Sequence, residues 1–275
     1  MPEGDTIHRT ATTLRRILRG QRIRACRSTV PRVDAERVSG RVVGEVVSRG
    51  KNLLIHLEED VGDELVIYTH MKMTGSWHVY RPGERWQKPS AGARLVLETA
   101  RAIAVCFHAP VVELFPAAEL PRHPVLSRLG PDPLAPEFDP AEARSRIQSR
   151  RDLPIGEALL DQTAIAGIGN VYKSEVLFLC GENPFAPVRD IGEERLDRVI
   201  ATVRRLMSRN LGGYPRVTRS ERRGERHWVY DRSGRPCARC GTRVRMRRQG
   251  ETGRSTYWCP QCQVHVDRPA EFTGD

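Results

Sequence analysis

At 275 residues the chain is long enough for two domains and a sizeable core, and its 45 Lys and Arg against 34 Asp and Glu give a net charge of +11. No apolar run reaches membrane-spanning length and no apolar leader opens the chain, which predicts a cytoplasmic protein and argues against reading the seven cysteines as a disulfide scaffold. The cationic excess favours a polyanionic partner, because each phosphate neutralised by Lys or Arg releases a counterion.

The chain begins Met1-Pro2-Glu3-Gly4-Asp5. Removal of a methionine that precedes a small residue leaves Pro2 with a free secondary amine on a rigid ring. An α-amino group has a pKa of about 8 against about 10.4 for lysine, so a useful fraction is unprotonated at neutral pH. Such an amine attacks electrophilic carbon and forms an iminium, which acts as an electron sink. Glu3 places a carboxyl within reach for proton transfer. The same start also fits an ordinary frayed terminus. Asp5 or Thr6 is placed to cap a helix with Ile7, Ala11, Leu14 and Leu18 on one face, stopped by Gly20. The positive end of that helix would disfavour a protonated amine beside it.

From Val42 the pattern turns to short segments rich in β-branched residues: 42–47, 53–57, 65–70, 94–98, 102–107 and 111–115. Close strands behind one leading helix suggest a β-sandwich rather than a parallel sheet. The turn Arg49-Gly50-Lys51-Asn52 is basic, and Lys51 is either solvated or a phosphate ligand. In His70-Met71-Lys72-Met73-Thr74-Gly75, Met73 suits either a core position or a wedge into a base stack.

Residues 121–140 hold six prolines and read as an interdomain connection. Helices follow over 141–150, from Pro154, over 171–179 behind Asn170, and over 193–210. In Gln162–Asn170, Gly167 and Gly169 permit close backbone approach, and Asn170 is placed to cap the helix behind it, either as a phosphate cradle or as an ordinary turn.

Beyond Gly212 the chain is loop-like and carries Arg216, Arg219, Arg222, Arg223 and Arg226. Cys237-x-x-Cys240 and Cys259-x-x-Cys262 then lie eighteen residues apart, the spacing of a four-thiolate structural zinc ribbon. Arg243, Arg245, Arg247, Arg248 and Arg254 between the knuckles point a positive finger at nucleic acid. His265 reads as a spare, exposed residue; Cys26, Cys106 and Cys180 read as buried packing.

The Pro2-Glu3-Gly4 start, the Gln162–Asn170 stretch and the four-cysteine ribbon together resemble the formamidopyrimidine-DNA glycosylase/endonuclease VIII family, from the first residue to about Gln263. The resemblance implies an α+β fold: an N-terminal β-sandwich with its leading helix, then a helix–two-turns–helix domain with a zinc finger. The corresponding division is a catalytic domain over 1–120, a Pro-rich linker over 121–140, a helical domain over 141–228, and finger and tail over 229–275. It implies damaged double-stranded DNA as partner, one structural zinc, a monomer, and a bacterial, nucleoid-associated setting. Catalytic roles fall on Pro2, Glu3 and Lys51: Pro2 attacks C1′ of a flipped-out nucleotide while Glu3 protonates the opening sugar. Lys51, Asn170 and Arg254 match phosphate-gripping positions, Met73 is the void-filler, and Glu175 has a supporting role.

Within the family the chain looks closer to the endonuclease VIII branch, and to its actinobacterial members, which implies oxidised pyrimidines as favoured lesions. His108-Ala109-Pro110 stands in place of an Arg-x-Phe wedge, and the segment between Gly213 and Cys237 is short for a purine-covering loop. Asp5-Thr6 in place of Pro-Glu, and Lys72-Met73-Thr74 in place of Gln-Leu-Tyr, depart from the bacterial endonuclease VIII pattern. An oxidised-purine glycosylase is the alternative within the family, and a zinc-ribbon damage sensor without chemistry is the alternative outside it. A metal-dependent backbone nuclease would need carboxylate clusters that the sequence does not arrange.

Overall fold

The computed structural model describes residues 2–58, 63–212, 215–219 and 224–264. Met1, Arg222, Arg223 and His265 lie outside the described residues. The chain forms two compact units, one of Met1–Phe138 with Ile165–Gly167 and Met207–Gly212, the other of Asp139–Ala164, Ile168–Leu206 and Gly213–Asp275.

In the first unit α1 (Gly4–Leu18) is followed by β1 (Ala25–Ser28), α2 (Ala35–Val38), β2 (Val42–Arg49), β3 (Asn52–Glu58), β4 (Leu65–His70), β5 (Ser76–Tyr80), β6 (Ala93–Glu98), β7 (Ile103–Phe107) and β8 (Val111–Pro116). Two four-stranded sheets result, ordered β2-β3-β4-β8 and β1-β6-β7-β5. All their pairings are antiparallel. The expected sandwich is therefore present. Its core joins the α1 stripe of Ile7, Ala11, Leu14 and Leu18 to Leu53, Ile55, Leu57, Leu65 and Ile67 of one sheet and Leu95, Leu97, Ala104 and Cys106 of the other.

Both sheets are also covered on their second faces. Leu54, Val66, Tyr68 and Phe115 pack under Leu126, and Tyr80, Val96, Val105 and Phe107 pack with Trp86. Central strands covered on two sides read as unbroken apolar runs rather than as alternation, as Leu53–Leu57 nearly does. The segment 117–138 contains 3-10 turns at Ala117–Arg122 and Leu126–Arg128. His123 holds part of it, contacting Glu113 at 3.1 Å through Nε2 and accepting from the Val125 and Leu126 amides through Nδ1.

The second unit contains α3 (Pro140–Gln148), α4 (Ile155–Ala158), α5 (Asn170–Cys180), most of α6 (Glu193–Arg209), and the hairpin of β9 (Arg245–Gln249) and β10 (Arg254–Trp258). Asp139 caps α3 through the Ala141 and Glu142 amides. Every residue of α5 from Asn170 to Phe178 is buried. Such a helix, enclosed on all sides, serves as the post on which the rest of the unit is hung. Among the described residues, no helix is long and apolar enough to cross a membrane.

Candidate active site and metal centre

The chain start is built into the fold. Helix α1 begins at Gly4, earlier than the expected capping by Asp5 or Thr6. Its N-cap is Glu3, whose carbonyl accepts from the Thr6 and Ile7 amides at 2.9 and 3.1 Å and whose side chain makes no capping bond. The reason is non-local: the Gly4 amide donates to the Gly167 carbonyl at 2.9 Å, which fixes the chain before the helix begins. Glu3 and Asp5 are wholly buried, Asp5 with Arg9 at 3.8 Å, and Pro2 is half-buried. A frayed terminus is therefore the wrong reading of this segment.

Gly167 has φ +89, and a Cβ there would lie 3.5 Å from the Gly4 Cα and 3.6 Å from the Gly50 Cα. The glycine read as a place for a ligand instead admits the chain start and the Lys51 turn. Gly50 has φ +58 and would strike the Gly167 amide nitrogen at 3.0 Å if it carried a Cβ. Its own amide donates to Asp132 Oδ2 at 2.7 Å, while Asp132 Oδ1 accepts from Leu134. Burial raises the Asp132 carboxyl above its ordinary range, against the pull of those two amides. Asp132 thus pins the turn that presents half-buried Lys51, a role its place in a proline-rich stretch concealed.

His70 ends β4 and accepts from the Lys72 amide at 3.0 Å. Burial pushes its pKa down to about 4, with Lys72 and Lys51 adding repulsion, so it is neutral at pH 7. The turn that follows separates its two methionines: Met71 is buried and Met73 is 63% exposed. The core reading thus belongs to Met71. Lys72 and His108 both have left-handed backbone, with φ 47 and 51, and their turns are tied by a bond from Thr74 Oγ1 to the His108 carbonyl at 3.0 Å. Pro2, Glu3, Lys51 and Met73 all belong to the first unit, while Asn170, Arg254 and the four cysteines belong to the second.

In the second unit Asn170 is the first residue of α5 rather than its cap; Gly169 takes that position without a side-chain bond. Asn170 is buried, and its Oδ1 has no hydrogen-bond partner among the described residues. Glu175 is a wholly buried carboxylate that accepts from the Trp228, Val229 and Tyr230 amides, each at 2.8 Å, and from the Thr218 hydroxyl. Its support is architectural, holding Thr218 and residues 228–230 to α5.

The arginines between the cysteine knuckles are not uniformly free to reach outward. Arg243 donates to the Gly234 carbonyl, Arg248 to the Gly253 carbonyl, and Arg247 lies 4.3 Å from the centre of the Phe185 ring. Arg254 is exposed at the start of β10.

Cys237, Cys240, Cys259 and Cys262 converge, with their sulfur atoms all within 4.8 Å of one another. The Cys237–Cys262 and Cys240–Cys259 separations are 3.9 and 3.5 Å. A tetrahedral ion with metal–sulfur bonds of about 2.3 Å needs sulfurs roughly 3.8 Å apart, so the residues fit the metal. Of the remaining cysteines, Cys106 is buried as expected, whereas Cys26 and Cys180 are half-buried.

Three family profiles match the chain: the formamidopyrimidine-DNA glycosylase N-terminal domain over residues 1–110, the formamidopyrimidine-DNA glycosylase H2TH domain over 129–218, and the zinc finger found in FPG and IleRS over 234–264. The chain is 40% identical to a Streptomyces coelicolor protein called probable endonuclease 8 2, covering 100% of this chain and 98% of that one. It is 39% identical to the DNA-(apurinic or apyrimidinic site) lyase Nei2 of Mycolicibacterium smegmatis, covering 96% and 99%. In fold it is similar to Lactococcus lactis Fpg (MutM) solved with N7-benzyl-Fapy-dG DNA, with a TM-score of 0.79 at 22% identity over 95% of this chain and 99% of that one.

Proposed function

Because the chain belongs to the formamidopyrimidine-DNA glycosylase/endonuclease VIII family of DNA-repair enzymes, we propose that its Pro2 amine, freed by removal of Met1, excises damaged bases and then cuts the strand. The observation that carries this reading is the seating of Pro2-Glu3-Gly4 by the Gly4–Gly167 bond. The onset of α1 only two residues after Pro2 supports it further, since the positive helix end disfavours a protonated amine there.

Pro2 nitrogen forms a bond to C1′ and the glycosidic bond breaks. Glu3 delivers a proton to the sugar ring oxygen as the ring opens, leaving an iminium. The iminium acidifies the C2′ proton, and successive β- and δ-eliminations expel the 3′ and 5′ phosphates. Lys51, Asn170 and Arg254 hold phosphates of the bent strand, and exposed Met73 fills the space left by the extruded nucleotide. The ion held by the four cysteines is zinc in a structural role, since four thiolates leave no open coordination position. The protein acts as a cytoplasmic monomer, with a catalytic domain over 1–120, a linker over 121–140, a helical domain over 141–228, and finger and tail over 229–275.

Borohydride reduction in the presence of abasic DNA tests the chemistry. The protein should be trapped covalently and Pro2→Ala should abolish most of the trapping, whereas binding without trapping would support the damage-sensor reading. We assign oxidised pyrimidines as the favoured lesions, supported by His108-Ala109-Pro110 and the short segment before Cys237. A cleavage panel with thymine glycol, dihydrouracil and 8-oxoguanine decides this, and faster cutting at 8-oxoguanine would reverse it.

A further inference from the structure

The most deeply placed cation among the described residues is Lys173. It lies on α5 with none of its surface exposed. Its ammonium donates to Thr256 Oγ1 at 2.7 Å and to the Ser255 carbonyl at 3.2 Å, both on β10 of the finger hairpin. Thr256 passes the contact on, donating to Gln249 Oε1 at 2.8 Å, and Gln249 Nε2 donates to the Pro184 carbonyl at 2.9 Å. Gln249 is the cross-strand partner of Arg254, and Ser255 is its chain neighbour. The root of Arg254 is therefore held on two sides by one network that starts from Lys173. The next α5 residue adds to the clamp, with Ser174 Oγ accepting from the Tyr257 amide at 3.4 Å.

Lys173 stands three residues after Asn170, close to one helical turn along the same helix. We propose that Lys173 is a positioning residue for DNA binding, its buried ammonium fixing the register between Asn170 on the helix and Arg254 on the finger. The proposal rests on the reading of Asn170 and Arg254 as phosphate ligands. A wholly buried ammonium carries a large desolvation penalty, and a methionine of similar length would pack there more cheaply. What methionine lacks is direction: an ammonium accepts one placement of its oxygen partners, whereas an apolar contact tolerates sliding of the hairpin along the helix. Lys173 touches no substrate in this scheme. It acts through the arginine whose root it holds.

The test is a double-mutant cycle on binding to a duplex that carries a tetrahydrofuran abasic analogue, measured by fluorescence anisotropy across a salt series, with zinc content checked for every variant. Arg254→Ala should weaken binding roughly tenfold and make the log–log salt slope shallower by about one unit, the signature of one lost phosphate contact. Lys173→Met should keep one zinc per chain and reproduce both changes. The double variant should bind no more weakly than the weaker single variant, because both remove the same contact. If the two losses multiply, or if Lys173→Met weakens binding without changing the slope, the positioning role is overturned. If Arg254→Ala itself changes neither quantity, Arg254 is no phosphate ligand, and the proposal falls with that reading. Should Lys173→Met lose zinc, Thr256→Val replaces it in the cycle, removing the ammonium's hydroxyl partner at nearly constant volume, with the same criteria.

Discussion

Replacing Gly167 by alanine isolates the seat of the chain start. The backbone at Gly167 has φ +89, and an L-residue held in the left-handed region costs about 1–2 kcal/mol. Crowding adds little: the new Cβ would meet the Met207 terminal methyl at 3.1 Å, which can swing aside, and the Gly4 and Gly50 Cα atoms at ordinary contact distance. The strain is relieved by rotating the peptide, and its carbonyl is the one that accepts from Gly4. A unit of about this size should lose roughly 3–8 °C in Tm for 1–2 kcal/mol. The chemistry should suffer more, since a displacement near 1 Å at a reacting group costs up to about a hundredfold. Single-turnover borohydride trapping on abasic DNA should therefore slow at least tenfold while the variant remains folded at assay temperature. Gly192, with ordinary backbone and open space around it, provides the control: Gly192→Ala should trap at the parent rate. Trapping by Gly167→Ala at the parent rate, with the same fall in Tm, would show that the Gly4–Gly167 bond does not place the amine.

The N-terminal amine, two residues ahead of the α1 N-terminus, should titrate below the ordinary value of about 8, read from the pH dependence of trapping, and a value at or above it would remove the helix from the account. Met73→Ala should leave Tm nearly unchanged, because the side chain is 63% exposed, yet weaken binding to lesion DNA severalfold relative to undamaged duplex; equal losses on both would end its role as void-filler. His70 has its pKa lowered from 6.5 to about 4, so the unfolded chain binds the extra proton between those values. Its contribution to stability is complete above pH 6.5 and is lost as pH falls towards 4, and His70→Gln should flatten the slope of unfolding free energy against pH in that window. Chelation should release one equivalent of zinc and expose the amides of residues 234–264 to hydrogen exchange, while release of a different metal would refute the assignment.

Much of the first unit was legible because its signals are local and periodic. The α1 stripe and six strand segments announce themselves by spacing alone. The missed strands, β1 and β5, are edge strands, Ala-Cys-Arg-Ser and Ser-Trp-His-Val-Tyr, whose mixed composition carries no clear period. The helix start was misplaced because the bond that sets it comes from Gly167, more than a hundred and fifty residues away in sequence. Asn170 before an apolar helix resembles a cap, yet Gly169 already turns the chain there. Lys173 and Asp132 were invisible for a common reason: a charged residue in a sequence reads as solvated until the strand or turn that covers it is known. The cysteine centre was legible in full, since metal geometry leaves few spacings open.

The seat made by Gly4 and Gly167 also limits how such a gene can diversify. The first amide of α1 is committed to a carbonyl far along the chain, and a Cβ at Gly4 would meet the Gly167 Cα at 3.1 Å, so a change at either glycine has to be matched at the other.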